Sequence, residues 1–202
     1  MSTHPITEKL LNGTLIREPV GNEQGYWSGA PGWTWDETDQ AAYVCYRIRR
    51  PRGVEPDRGG ESRIAKTTDF ETFEDVWSVQ KSDYNSASIE KSTLKRGKDG
   101  RWRYFTSFVA PEDGRWCTTI NTADSIEALD PANTKRLFTA TDHNLEGVKD
   151  PWLMEVDGTY HLFLSVAINT ASTSASSHES LDIFNTGECK SATALATSTD
   201  LD

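Results

Sequence analysis

Asp150 stands directly before a proline in "EGVKDPW", residues 146–152. A residue before proline is pushed out of the helical region toward extended backbone. Asp150 is therefore expected at the start of a strand, with the apolar run after it forming that strand. Two readings stay open here: a turn-forming aspartate, or a carboxylate held at the mouth of a site. Glu90, in "SASIEKS" at 86–92, takes the same place sixty residues earlier, and Ala30, in "SGAPGW" at 28–33, sixty residues before that. Arg47 alternates with Tyr43 and Cys45 on a strand whose other face is apolar. An arginine inside a strand requires a carboxylate, a phosphate or a sugar acid as its partner. Arg63, in "ESRIA", is a further candidate of that kind. Trp33, Trp35 and Trp152 follow the landmark positions. Their flat faces suit a ring-shaped ligand such as a sugar, and equally suit a core.

The elements that must position these residues repeat. Three segments align: "DQAAYVCYRI" at 39–48, "DGRWRYFTSF" at 99–108 and "DGTYHLFLSV" at 157–166. Each opens on a turn signal at Asp and then alternates with period two, the signature of a β-strand. Asp-Gly in two of the copies is a hairpin turn signal. Downstream of each lies a second shared element: "IAKTTD" at 64–69, "TINTAD" at 119–124 and "LATSTD" at 195–200. Upstream lies the landmark element. One unit is thus an inner strand, a hairpin partner, a third strand and a fourth edge strand, the make-up of a β-propeller blade. Blades fall near 28–75, 86–130 and 147–202, within one domain over 1–202. Helical periodicity is confined to a single turn in "TADSIEALDP" and a short helix in "ITEKLLNG". The segment 169–190 reads as a long polar loop in the third blade, an active-site rim or a solvated insertion. Propellers close with about four to eight blades. Three repeats therefore predict either the N-terminal part of a longer propeller or closure by self-association.

The bulk composition is that of a folded chain. It has 202 residues, 36% hydrophobic and 26% charged, with a net charge of −10. Such a charge excludes a basic field for nucleic acid and disfavours an anionic membrane surface. No signal-peptide h-region opens the sequence, and no run reaches the roughly 18 apolar residues of a membrane span. Cys45, Cys117 and Cys189 stand far apart without CxxC spacing. They read as free thiols in a reducing, cytoplasmic setting, with Cys45 and Cys117 as small buried hydrophobes. His143 and His161 lack metal-ligand spacing, and no phosphate-loop or dinucleotide fingerprint is present. Neither a metal nor a cofactor is expected.

Acidic inner strands, one written "KDP", and the hairpin "DGTYHLFLS" resemble the five-bladed propeller glycosidases. These are glycoside hydrolase families 43 and 32, with the related family 130 mannoside phosphorylases and hydrolases. The stretch "YRIRR…SRIAKTTDFETFE" is most similar to family 130. The resemblance covers roughly residues 25–202. It implies an all-β, five-bladed type of propeller with about three blades present here, acting on an oligosaccharide or glycoside by carboxylate acid/base catalysis. It further implies that Asp150 matches the Asp of the basic-residue-Asp-Pro motif, as base or modulator, and that Glu90 is the closest counterpart of the family 130 acid. Glu146 is a reserve acid. The first blade departs from families 43 and 32, with Ala30-Pro31 where they carry Asp, and the usual "EDPR" of family 130 is absent. A non-catalytic carbohydrate-binding propeller and an inactive fragment are the alternatives.

Overall fold

Alternating apolar residues in every repeat form strands with one face turned to a neighbouring sheet. The computed structural model describes residues 13–173 and 184–201, so the N-terminal helix expected in "ITEKLLNG" lies outside the described residues, as does part of the third-blade loop. Blade 1 is an antiparallel sheet of β1 (Trp27–Asp36), β2 (Ala41–Arg50), β3 (Arg58–Thr67) and β4 (Glu74–Gln80), in that spatial order. Blade 2 holds β5 (Ile89–Arg96), β6 (Trp102–Val109), β7 (Trp116–Ala123) and the short β8 (Lys135–Phe138). Blade 3 holds β9 (Leu145–Val156), β10 (Thr159–Asn169) and β11 (Cys189–Ser198). One parallel bridge, Trp116 to Gly147, ties blade 3 to blade 2. The single turn expected in "TADSIEALDP" is present as a hydrogen-bonded turn, Ala128 N donating to the Ser125 carbonyl and Leu129 N to that of Ile126, with a short 3₁₀ turn at Pro131–Asn133 after it. The Asp157-Gly158 turn has positive φ at both residues and joins Val156 to Thr159, the two-residue hairpin its sequence predicts.

Blade 2 is sandwiched, so every residue of β6 is buried. Toward blade 1, Trp102, Tyr104 and Leu94 pack with Tyr43, Cys45 and Ile64. Tyr43 meets Trp102 edge-on at 4.9 Å between centroids. Toward blade 3, Phe105 packs with Val148, Leu162 and Leu164. Each large side chain buried this way contributes about 1.5–3 kcal/mol. The seam between blades 1 and 2 also holds a buried hydroxyl network. Ser92 Oγ lies 2.8 Å from Tyr104 Oη and 2.8 Å from Thr106 Oγ1, and Tyr104 donates to Ser62 Oγ at 2.8 Å. All three cysteines are free and buried. Burial alone pushes the Cys45 thiol up to about 12.

Candidate active site

The innermost strands β1, β5 and β9 lie side by side, and each breaks its pairing at its landmark, with a second break on β9 between Leu145 and Gly147. On β1, Ala30 and Pro31 together stand opposite Tyr46. On β5, Glu90 and Lys91 stand opposite Ser107. On β9, Asp150 and Pro151 stand opposite Leu164. Two residues facing one make a β-bulge, which bends the strand and re-aims its side chains. The three landmarks are therefore three bulges in equivalent places. This corrects the expectation for Asp150. It sits inside β9 rather than at its start, and its φ is +59° rather than extended. Bulge geometry overrides the bias of the following proline. Ala30 shares the feature, with φ +53°.

The bulges bring Glu90 and Asp150 to one lysine. Lys149 Nζ lies 3.7 Å from Glu90 Oε1 and 3.8 Å from Asp150 Oδ2. The two oxygens nearest the lysine are thus no farther apart than the sum of those distances, within the upper limit of about 10 Å for paired glycosidase carboxyl groups. From blade 1, Arg47 Nη1 ion-pairs with Glu90 Oε2 and donates to the Ile89 carbonyl at 2.8 Å. The carboxylate partner expected for Arg47 is Glu90 itself. Its guanidinium stacks 4.6 Å from the Trp27 ring centroid, and Lys149 Nζ sits 5.1 Å from that of Trp116. Glu90 is the more enclosed carboxylate, with its side chain 15% exposed against 28% for Asp150.

The other expected residues go elsewhere. Strand register places Trp33 opposite Val44, Trp35 opposite Ala42 and Arg63 opposite Tyr46, on the face of blade 1 turned away from blade 2. Trp33 is 64% exposed. Trp35 stacks on Phe70, and Arg63 is held by Glu61 and Asp75. Trp152 pairs in register with Phe163 and tilts against its ring at 5.5 Å, on the far face of blade 3. Glu146 is fully buried, with Arg115 3.2 Å away. His143 tilts against Phe138, and His161 Nδ1 lies 3.1 Å from the Thr159 carbonyl. Among the described residues no group of three or more His, Cys, Asp or Glu could hold a metal ion. Three residues of the cluster were not anticipated: Trp27, Trp116 and Lys149. Lys149 is the basic residue of the "KDP" motif and was the most findable.

Solved structures share the architecture. A glycoside hydrolase of subfamily GH43_12 from a capybara gut metagenome superposes with a TM-score of 0.58 at 13% identity, covering 92% of this chain and 31% of its own. An exo-1,5-α-L-arabinanase from a bovine ruminal metagenomic library gives 0.52 at 14% identity, covering 88% and 54%. A β-xylosidase gives 0.51 at 14% identity, covering 69% and 44%. The chain has the fold of the propeller glycoside hydrolases. It spans about half the length of these propellers or less. No protein-family model matches the sequence, and no curated protein sequence does. At such identities the shared property is the propeller itself, with its inner strands gathered around an axis.

Proposed function

We propose that this propeller is carbohydrate-active and cleaves a glycosidic bond in an oligosaccharide, with Glu90 and Asp150 as its working pair. The observation that carries the reading is the shared lysine. Two carboxylates from adjoining inner strands converge on Lys149, 3.7 and 3.8 Å from its Nζ, close enough to act on one bond. Hydrolysis adds the elements of water across the bond. In this reading the pair shares one proton: the carboxyl group that carries it gives it to the leaving oxygen, and the other, ionised, takes one from the water that attacks the anomeric carbon. Lys149 places a positive charge between the two carboxyl groups and keeps them together. The propeller folds of an arabinanase and a xylosidase support the substrate class.

A second reading, a binding propeller without catalysis, is favoured by one observation. The blade 1 bulge carries Ala30, so no third carboxylate comes from the bulge of that strand. A screen of pentose and hexose oligosaccharides, read by reducing-end release, separates the two. Cleavage that falls about 10²- to 10⁴-fold in both Glu90→Gln and Asp150→Asn, with unchanged thermal melts, supports the enzyme. Saturable binding without cleavage supports the second reading, and cleavage that survives both substitutions moves the chemistry elsewhere.

A further inference from the structure

The hairpin between β2 and β3 forms a rim beside Glu90. Its loop lies at the end of blade 1 where Trp27 pairs with Arg49, and Trp27 also carries the stacked Arg47. The start of β3 is pressed onto β5 and the residues before it. Gly59 N donates to Ser88 Oγ at 3.1 Å, and a Cβ on Gly59 would come 2.0 Å from the Ile89 carbonyl oxygen and 3.0 Å from Arg47 Nη1. Only glycine fits there, and that fit fixes Arg58, the residue before it, next to the Glu90 strand. Arg58 has φ +57°, a left-handed conformation that few side-chain-bearing residues adopt.

Arg58 shares this rim with Arg49 and Arg52. Among the described residues none of the three guanidinium groups makes a hydrogen bond or ion pair, and Arg58 is half-buried. Its pKa is pushed down by burial first and then by the charge of Arg52, with Arg49 adding and Asp57 and Glu90 offsetting in part. The nearby acids are already engaged. Asp57 accepts from Lys81 at 2.5 Å and from Gly53 N at 3.0 Å. Glu90 is held by Arg47 and Lys149. Arg47 is 6% exposed, and its Nε is buried without a hydrogen-bond partner among the described residues. On a chain with a net charge of −10, this is a group of mutually repelling arginines, Arg58 and Arg49 part-buried and Arg52 exposed, whose nearest acids are already paired with other cations.

We propose that the site selects a glycan bearing an anionic group, a uronate carboxylate or a sulfate ester, gripped by Arg58 with Arg49 and Arg52 completing the charge. The planar guanidinium fork matches either oxyanion through two parallel hydrogen bonds. The inference rests on the carbohydrate reading of the site but not on catalysis.

Titration calorimetry on the full chain tests it with three ligands of equal length: a neutral galacto-oligosaccharide, an oligogalacturonate and a sulfated galacto-oligosaccharide. The expected result is affinity at least tenfold higher for one anionic ligand, falling as sodium chloride rises. Which of the two it is identifies carboxylate or sulfate. Arg58→Gly keeps the left-handed backbone open to the chain and should abolish the preference with an unchanged melt. Arg52→Gln, on an exposed loop, should reduce it about threefold by removing one screened charge. Equal affinity for neutral and anionic ligands, a preference that survives Arg58→Gly, or no binding at all overturns the inference. Running Glu90→Gln in parallel separates the two proposals. Anionic preference without any cleavage removes the enzyme and keeps the rim, and cleavage without preference does the reverse.

Discussion

The inner strands of blades 1 and 3 break their pairing in the same way and place different chemistry at the break. Ala30-Pro31 and Asp150-Pro151 each set two residues against one, and the first of each pair sits at φ near +55° (+53° and +59°). The backbone device is common to both, and the carboxylate is present in only one. Around Glu90 the two blades differ again. Blade 1 supplies Arg47, buried and stacked on Trp27, whereas blade 3 supplies Lys149, a third exposed, and Asp150 beside it. The bulge is thus a property of the fold. What it presents depends on one side chain, which divides the neighbourhood of Glu90 into an enclosed side and a wetter side.

The largest test of that division is Arg47→Met. Removing one member of an enclosed pair leaves the other charge short of a partner and costs about 3–5 kcal/mol. It also takes the donor from the Ile89 carbonyl. Urea unfolding should show the midpoint falling with an unchanged slope. A loss below about 1 kcal/mol, the figure for an exposed pair, would mean that the blade 1 side is as wet as the blade 3 side.

Next in size is the seam beneath the pair. Ser92→Ala deletes the hydroxyl that meets both Tyr104 and Thr106. Partners left unsatisfied in a buried network cost about 1–3 kcal/mol. Hydrogen exchange offers a second readout: amides of β5 near Ser92 should lose protection while those of β10 keep theirs. Equal loss in both strands would show that the three blades respond as one unit rather than as a rigid seam and a looser one.

The repeat, the strands and the landmark spacing were legible because period two and turn residues act locally. The equivalent placement of Glu90 and Asp150 was legible for the same reason, since they recur at one place in the repeat. What was not legible is parity across a bulge. Trp33 and Trp35 follow a landmark, but two residues facing one on β1 reset the alternation and send them to the far face with Val44. Arg47 and Arg63 both lie inside strands. Only the partner register, Arg47 opposite Gly29 and Arg63 opposite Tyr46, separates the arginine at the site from the one in the outer ion-pair cluster. The positive φ of Asp150 was hidden because the proline rule describes a local bias, while the bulge depends on pairing with a strand downstream. Trp27 and Trp116 reach the site as platforms under cations, a role set by tertiary contact.

The smallest expected effect tests the shared backbone device itself. Ala30→Gly relieves about 1–2 kcal/mol of left-handed strain and gives back about 0.4–1 kcal/mol through the freer unfolded chain. The net is a gain of about 0.5–1 kcal/mol. Asp150→Gly should gain less, because aspartate tolerates the left-handed region better than alanine and the change also removes the contact with Lys149. Both follow from the urea midpoints of otherwise identical chains. If Ala30→Gly destabilises the protein while Asp150→Gly leaves it unchanged, the two bulges are not the same device, and the blade 1 bulge depends on the Ala30 methyl group. If the expected order holds, Ala30→Asp becomes informative. A carboxylate placed on a backbone already shaped like that of Asp150 should fold within about 1 kcal/mol of the parent, and a rise in cleavage would then identify the chemistry that blade 1 lacks.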